Sequence, residues 1–417
     1  MIKRQTVLVL GAGANVHLGF PLGQELIKDI YRLVFDRSIG VKRISDVAGE
    51  RFSKRDFLTN SQLLERFLEL SDYKKDDGQK YTSDDIKEFA ERLFQAQPPS
   101  VDFFLEKNPQ YSLIGKLCII FCISRYEDEN SWQYLPSKYP NKLKKDFPDF
   151  GWYRYLWNNL IKGCKDIKDL HNNKVTIITF NYDRSLEYYL MRAIKTFFKA
   201  EEEEVMEVFN SIKIKHVYGR LGKFYEEINS LPGLPLSPEK FMLETAPYIP
   251  WDIACFYQLI GEKIEYGWSR RDFEQGSDVF SKKNRQFLVE RFNKVIREIQ
   301  TFDEANVKGQ KEEFLKHLKS AKRIYFLGFG YHDENLKALG LPGEEGDFDF
   351  NKVRINGTAV NMTSEEARLI TGRLAASFKA KGLHEVQYIK IQCSWNGLDK
   401  SELCLIRNFL RNVAPLS

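Results

Sequence analysis

Four short apolar runs, each ending in glycine or in a polar cluster, constrain this chain more than any other feature of its sequence. Thr6–Leu10 is an unbroken β-branched and leucine run that stops at Gly11-Ala12-Gly13. Residues 174–180 stop at Asn181-Tyr182-Asp183, and residues 212–217 lead through His216 to Tyr218-Gly219. Arg323–Leu327 stops at Gly328-Phe329-Gly330. Apolar runs of this length without polar alternation, Thr6–Leu10 above all, have the form of strands buried on both faces. Helical spacing follows the first run, with Leu26, Ile27, Ile30, Leu33 and Val34 on one stripe. Strands separated by helical crossovers predict a parallel sheet covered on both faces, because each crossover has to pack back onto it. A fifth strand is predicted over residues 386–391, before a closing helix around 403–413.

The long connections carry a different pattern. Residues 36–169 show aromatic and leucine periodicity (Phe57, Leu58, Leu63, Leu64, Phe67, Leu68, then Phe89, Leu93, Phe94) broken at Pro98-Pro99, which predicts a helical insertion. Residues 223–319 begin with a proline-rich loop (Pro232, Pro235, Pro238, Pro247, Pro250) and end in an amphipathic helix over 287–299. The expected architecture is therefore α/β: a Rossmann-like parallel sheet built from 1–35, 170–222 and 320–417, with large helical insertions at 36–169 and 223–319. The Glu201 to Glu204 run reads as a solvated helix face.

Composition closes off several classes. With 43% hydrophobic residues the chain can bury a core, and a net charge of +5 over 417 residues gives no dense basic face for nucleic acid. The small clusters Lys142, Lys144, Lys145 and Lys319, Lys322, Arg323 read as solvated faces. Six cysteines without a C-x-x-C pair argue against a disulfide framework or a zinc ribbon, and no metal is expected. The apolar stretch 113–123 contains Lys116 and falls short of the ~18–20 residues a membrane span needs. The N-terminal apolar run leads directly into glycines, so it reads as a strand and not a signal peptide. A cytoplasmic protein without membrane contact is expected.

In parallel sheets of this kind, ligands bind outside the carboxyl ends of the strands, and this chain keeps its unusual residues there. Glycines at Gly11 and Gly13 permit a tight turn and let a phosphate approach backbone amides. The spacing is not G-x-G-x-x-G, however, and no acidic residue ends a second strand at the dehydrogenase distance. Asn181 and Asp183 stand at a strand-to-helix junction, where they either cap a helix or face a ligand. His216 is either a packed residue or a general base. Gly328, Gly330 and Tyr331 offer a second backbone approach, with His332 as a further contact or a helix cap.

Taken in order, Gly11-Ala12-Gly13-Ala14-Asn15 with Pro21, Asn181-Tyr182-Asp183, His216 with Gly219, and Gly328-Phe329-Gly330-Tyr331 resemble the sirtuin-like NAD hydrolases of bacterial phage defence. Ser100 to Leu105 resembles a segment of that subgroup's helical insertion. The resemblance implies NAD as substrate, cleaved to nicotinamide and ADP-ribose, in an abortive-infection type of antiviral defence. It implies catalytic roles for Asn181, His216 and Asp183, and NAD contacts from Gly11, Ala12, Gly13, Asn15, Gly328, Gly330 and Tyr331. In that reading Asn181 orients water or ribose hydroxyls, His216 acts as base, and Asp183 engages the nicotinamide amide. The four-cysteine ribbon of deacetylating sirtuins is missing, Asn15 stands where they carry serine, and no arginine matches theirs after Pro21. These departures favour hydrolysis of free NAD. A non-catalytic NAD or ADP-ribose sensor controlling a partner is the alternative, as is a protein deacylase or ADP-ribosyltransferase. A toxic activity of this kind predicts control by self-assembly into a homo-oligomer or by a separate sensor or activator protein.

Overall fold

The computed structural model describes residues 1–35, 60–126, 151–223, 282–300, 308–344, 346–359, 362–381, 385–393, 405–412 and 415–416. The predicted proline-rich loop, Phe57, Leu58 and the Lys142 cluster lie outside the described residues. The chain divides into two compact units, Met1–Phe20, Trp132–Gly219 and Phe302–Ser417 forming the first, Pro21–Ser131 and Arg220–Thr301 the second.

The first unit contains one six-stranded sheet: β1 (Thr6–Leu10), β2 (Val175–Thr179), β3 (Lys213–His216), β4 (Arg323–Leu327), β5 (Arg354–Ala359) and β6 (Ile389–Cys393). Every pairing is parallel and the order is β3-β2-β1-β4-β5-β6. This is the Rossmann-like order, and it places the topological switch point between β1 and β4. Continuous burial along β1 and β2 explains why their sequences lack alternation. The register puts Leu10 level with both Thr179 and Leu327, so the three segments that follow these strands leave the sheet side by side.

Two strand predictions need correction. β5 has no counterpart among the predicted strands, because Arg-Ile-Asn-Gly-Thr-Ala carries Asn356 and Gly357 in place of a β-branched run. Gly357 is there for space: a Cβ on it would come within 2.2 Å of the Tyr331 hydroxyl. The strand predicted over 386–391 is displaced to Ile389–Cys393, since residues 385–386 are still helical.

The second unit is helical among its described residues: Gly23–Phe35, Asn60–Leu70, Ser83–Ala96, Val101–Lys107, Ser112–Tyr126 and Lys282–Glu298. Thr82 and Asp85 form a reciprocal capping box at the start of Ser83–Ala96, and Ser100 caps the next helix. Aromatic contacts knit the bundle, including Tyr31 on Phe94 at 4.5 Å and Phe67 on Phe292 at 4.8 Å. The helix Gly23–Phe35 belongs to this unit and packs against Ser83–Ala96 and Ser112–Tyr126. No described helix is long and apolar enough to cross a membrane.

Candidate functional site

The glycines at the ends of β1 and β4 pack backbone on backbone. A Cβ on Gly11 would sit 2.5 Å from the Gly328 carbonyl oxygen, and one on Gly328 would sit 2.1 Å from the Ala14 nitrogen. Gly328 also has φ +56°, a conformation that glycine alone adopts cheaply. The Gly11 amide donates to the Leu327 carbonyl at 3.1 Å and the Gly13 amide to the Gly328 carbonyl at 3.0 Å. Those two amides donate within the protein. Among the described residues the amides of Ala12 and Gly330, both half-buried, donate to no protein acceptor.

Asn15 and Asp183 meet beneath this turn. Asn15 Nδ2 donates to Asp183 Oδ2 at 2.7 Å, while Asn15 Oδ1 accepts from the Tyr153 hydroxyl at 2.8 Å. The other Asp183 oxygen accepts from the Ser185 amide at 3.0 Å and from the Ser185 hydroxyl. All four residues are buried. Burial pushes the Asp183 carboxyl up, the Ser185 hydrogen bonds oppose that, and the nearby Glu187 charge adds to it. In this arrangement Asn15 and Asp183 join the first loop to the second, and each of their side-chain nitrogen and oxygen atoms has a protein partner. Tyr153 bridges both sides, with Ser185 Oγ also at 2.8 Å from its hydroxyl. Tyr153→Phe is expected to cost about 1–3 kcal/mol, because the buried Asn15 carbonyl loses its donor; urea denaturation of the variant beside wild type checks this.

Tyr153 and its neighbour Trp152 open the helix Gly151–Ile161, which sequence reasoning left inside an insertion. The Trp152 indole donates to the Ala14 carbonyl at 2.8 Å, and His17 Nδ1 reaches the same carbonyl at 3.0 Å. A carbonyl only accepts, so the His17 proton sits on Nδ1, and its buried Nε2 has no partner. Burial lowers the His17 pKa to about 4, against a small upward pull from the Ala14 bond. The sign follows. Between pH ~6.5 and ~4 the unfolded chain binds a proton that the folded chain refuses, so stability falls as pH falls through that window, by up to about 3 kcal/mol. His17→Asn keeps a donor for Ala14 and is expected to flatten this slope in denaturation midpoints measured from pH 7 to pH 4.

The second cluster forms where β2 and β3 end. His216 Nδ1 lies 2.9 Å from the Asn181 backbone carbonyl and Nε2 lies 2.9 Å from Glu187 Oε1. Glu187 also takes Arg184 Nε at 3.0 Å. The Arg184, Glu187 and His216 side chains are 0%, 4% and 5% exposed. Burial alone would raise the Glu187 carboxyl, but the His216 and Arg184 charges overrule it and hold the group down at about 2. Both His216 nitrogens are thus engaged within the protein. Asn181 behaves differently. Its amide donates to Thr179 Oγ1 at 3.1 Å and its carbonyl serves His216, yet its side-chain Nδ2 is buried without a partner among the described residues.

Aromatic rings surround these strand ends. Phe180 follows β2 and Phe329 follows β4, yet their rings meet at 5.1 Å, so they pass over the end of β1 that lies between them. Tyr218 packs on Phe180 at 5.4 Å, and its hydroxyl donates to Asn335 Oδ1 at 3.0 Å. Asn335 Nδ2 in turn donates to the Gly330 carbonyl at 2.8 Å. Tyr331 is buried, and its hydroxyl is given to the Thr358 carbonyl at 3.0 Å. His332 stands at the N-cap of Asp333–Ala338 without a side-chain cap bond.

The structure therefore joins Gly11–Gly13 to Gly328, Asn15 to Asp183, and Asn181 to His216. Sequence reasoning missed Tyr153, Ser185, Glu187, Arg184 and Asn335; only the first-turn position of Glu187, two residues after Ser185, gave any signal. Among the described residues no group of three or more His, Cys, Asp or Glu side chains is arranged to hold a metal ion. The chain matches no family model, no curated protein and no solved structure.

Proposed function

We propose that the chain binds NAD at the β1/β4 switch point and hydrolyses the bond between nicotinamide and ribose. The observation that carries this reading is Asn181 Nδ2, a buried amide donor without a partner among the described residues, beside a Rossmann-like switch point. A buried donor left unpaired costs about 1–3 kcal/mol. Its retention is accounted for when a ligand oxygen, such as a ribose hydroxyl or the attacking water, supplies the missing acceptor. The half-buried Ala12 and Gly330 amides, free of protein acceptors, are suited to the phosphates.

The chemistry asks little of the protein. Nicotinamide leaves as a neutral molecule from a cationic sugar derivative, so the departure needs no strong acid. What remains is to fix the ribose, stabilise charge developing on it, and present water. Asn181 is the group assigned to that work. His216 and Asp183 hold the surrounding backbone and loops and do not exchange protons with the substrate. The Phe180–Phe329 contact over β1 and the burial of Asn181 favour a resting state of low activity, and opening by self-association or by a separate activator fits a regulated antiviral effector.

The same closed rings keep a sensor reading alive, in which ligand binding controls a partner without turnover. Mass spectrometry of NAD incubated with the purified chain separates the two. Release of nicotinamide and ADP-ribose by wild type, and not by Asn181→Ala, supports hydrolysis. Calorimetric binding of NAD with the dinucleotide recovered intact selects the sensor.

A further inference from the structure

We infer that Glu187 and Arg184 are positioning residues of the switch-point site, holding His216 with a proton on each ring nitrogen so that His216 fixes the Asn181 peptide. The catalytic consequence rests on the reading of Asn181 given above; the arrangement of charge does not.

The geometry leaves His216 little choice. Nδ1 faces a backbone carbonyl and Nε2 faces a carboxylate, and both of those oxygens accept hydrogen bonds. A neutral ring carries one N–H and would leave one of the two contacts without a proton. The charged groups packed around it are consistent with an imidazolium. Glu187 lies against Nε2, Arg184 shares the same Glu187 oxygen, and Asp183 lies within electrostatic range of Glu187. Glu187 occupies the first turn of Ser185–Phe198, where the helix dipole favours a carboxylate.

A buried ion cluster is a poor source of stability, since apolar side chains of equal volume often do as well or better. Its product here is placement. The Asn181 peptide is gripped on both sides, its N–H by Thr179 Oγ1 and its C=O by His216, and the carbonyls of His216 and Val217 are themselves held by Gln310 Nε2 at 3.4 and 3.2 Å. The point from which the Asn181 side chain departs is fixed as a result. An error near 1 Å at such a group costs on the order of 10²-fold in rate.

The test uses the full chain with ¹⁵N-labelled histidine, the His216 signals being assigned by their loss in His216→Asn. At neutral pH the wild-type ring is expected to show protons on both nitrogens, and Glu187→Gln is expected to lose one. In NAD turnover, Glu187→Gln is expected to lower kcat by about 10²-fold with KM little changed, and Glu187→Asp to restore part of it. A singly protonated His216 in wild type overturns the proposal, and that spectrum decides even if the variants fail to fold. A doubly protonated ring with unchanged kcat in Glu187→Gln overturns the positioning role. A doubly protonated ring in a wild type that binds NAD yet leaves it intact, across the range of protein concentrations that drives self-association and with its co-expressed neighbours present, supports the charge arrangement and sinks the hydrolase reading instead.

Discussion

Asn181→Ala is expected to lower nicotinamide release by about 10²–10³-fold, the usual loss when one preorganised donor is removed from a reacting centre. The same change is expected to leave thermal stability within about 1 kcal/mol of wild type. The two expectations come from opposite ends of one residue. Among the described residues, all hydrogen bonds that Asn181 makes to the protein use its backbone: the N–H to Thr179 Oγ1 and the C=O to His216. Alanine keeps both. The deleted carboxamide carries a buried nitrogen without a partner, so its removal relieves a desolvation cost that offsets the small void left behind. Asp183→Asn behaves in the reverse way, because its oxygens accept from Asn15 and Ser185 and an amide nitrogen there would oppose one of those donors. Equal nicotinamide release by wild type and Asn181→Ala, under conditions in which wild type is active, would remove Asn181 from the reaction. A large drop in melting temperature for Asn181→Ala would show that its side chain is structural.

β1, β2 and β4 are legible in the sequence because burial on both faces removes alternation. β1 and β4 can be placed to the residue, since each is an apolar run cut off by a glycine that the neighbouring loop requires. β5 is illegible for the same physical reason turned around. Its Gly357 makes room for the Tyr331 hydroxyl, a contact from another segment that no local pattern announces. The strand-end residues stand out in the sequence, but their division of labour does not. Asn15, Asp183 and Asn181 look alike there as short polar groups after strands. Only the three-dimensional partners separate them: Tyr153 and Ser185 consume the hydrogen-bonding capacity of the first two, and nothing consumes the Asn181 amide. A histidine at a strand end, such as His216, carries the possibility of a general base. The Glu187 carboxylate that occupies its second nitrogen comes from the first turn of a different element.

The glycines divide just as sharply, and Gly328→Ala is expected to be the most damaging single substitution in the sheet. Its Cβ would lie 2.1 Å from the Ala14 nitrogen and 2.2 Å from the Gly13 carbon, both backbone atoms held by their own hydrogen bonds. Neither can move without breaking the pairing of the β1 loop with β4. A non-glycine residue at φ +56° adds about 1–2 kcal/mol of its own, and overpacking a rigid contact adds about 1–3 kcal/mol more. A loss of about 2–5 kcal/mol is therefore expected, the upper end being enough to unfold a marginal domain. Gly330→Ala is the matched control. Its Cβ would meet only the His332 and Asn335 side chains at 3.4–3.5 Å, ordinary contact distances. That variant is expected to keep wild-type stability within about 0.5 kcal/mol. If the free Gly330 amide faces the dinucleotide, its added methyl weakens NAD binding. Circular-dichroism melts and calorimetry on both variants separate the two roles. A stable, NAD-binding Gly328→Ala would mean that the two loops do not pack as closely as their carbonyls and amides require.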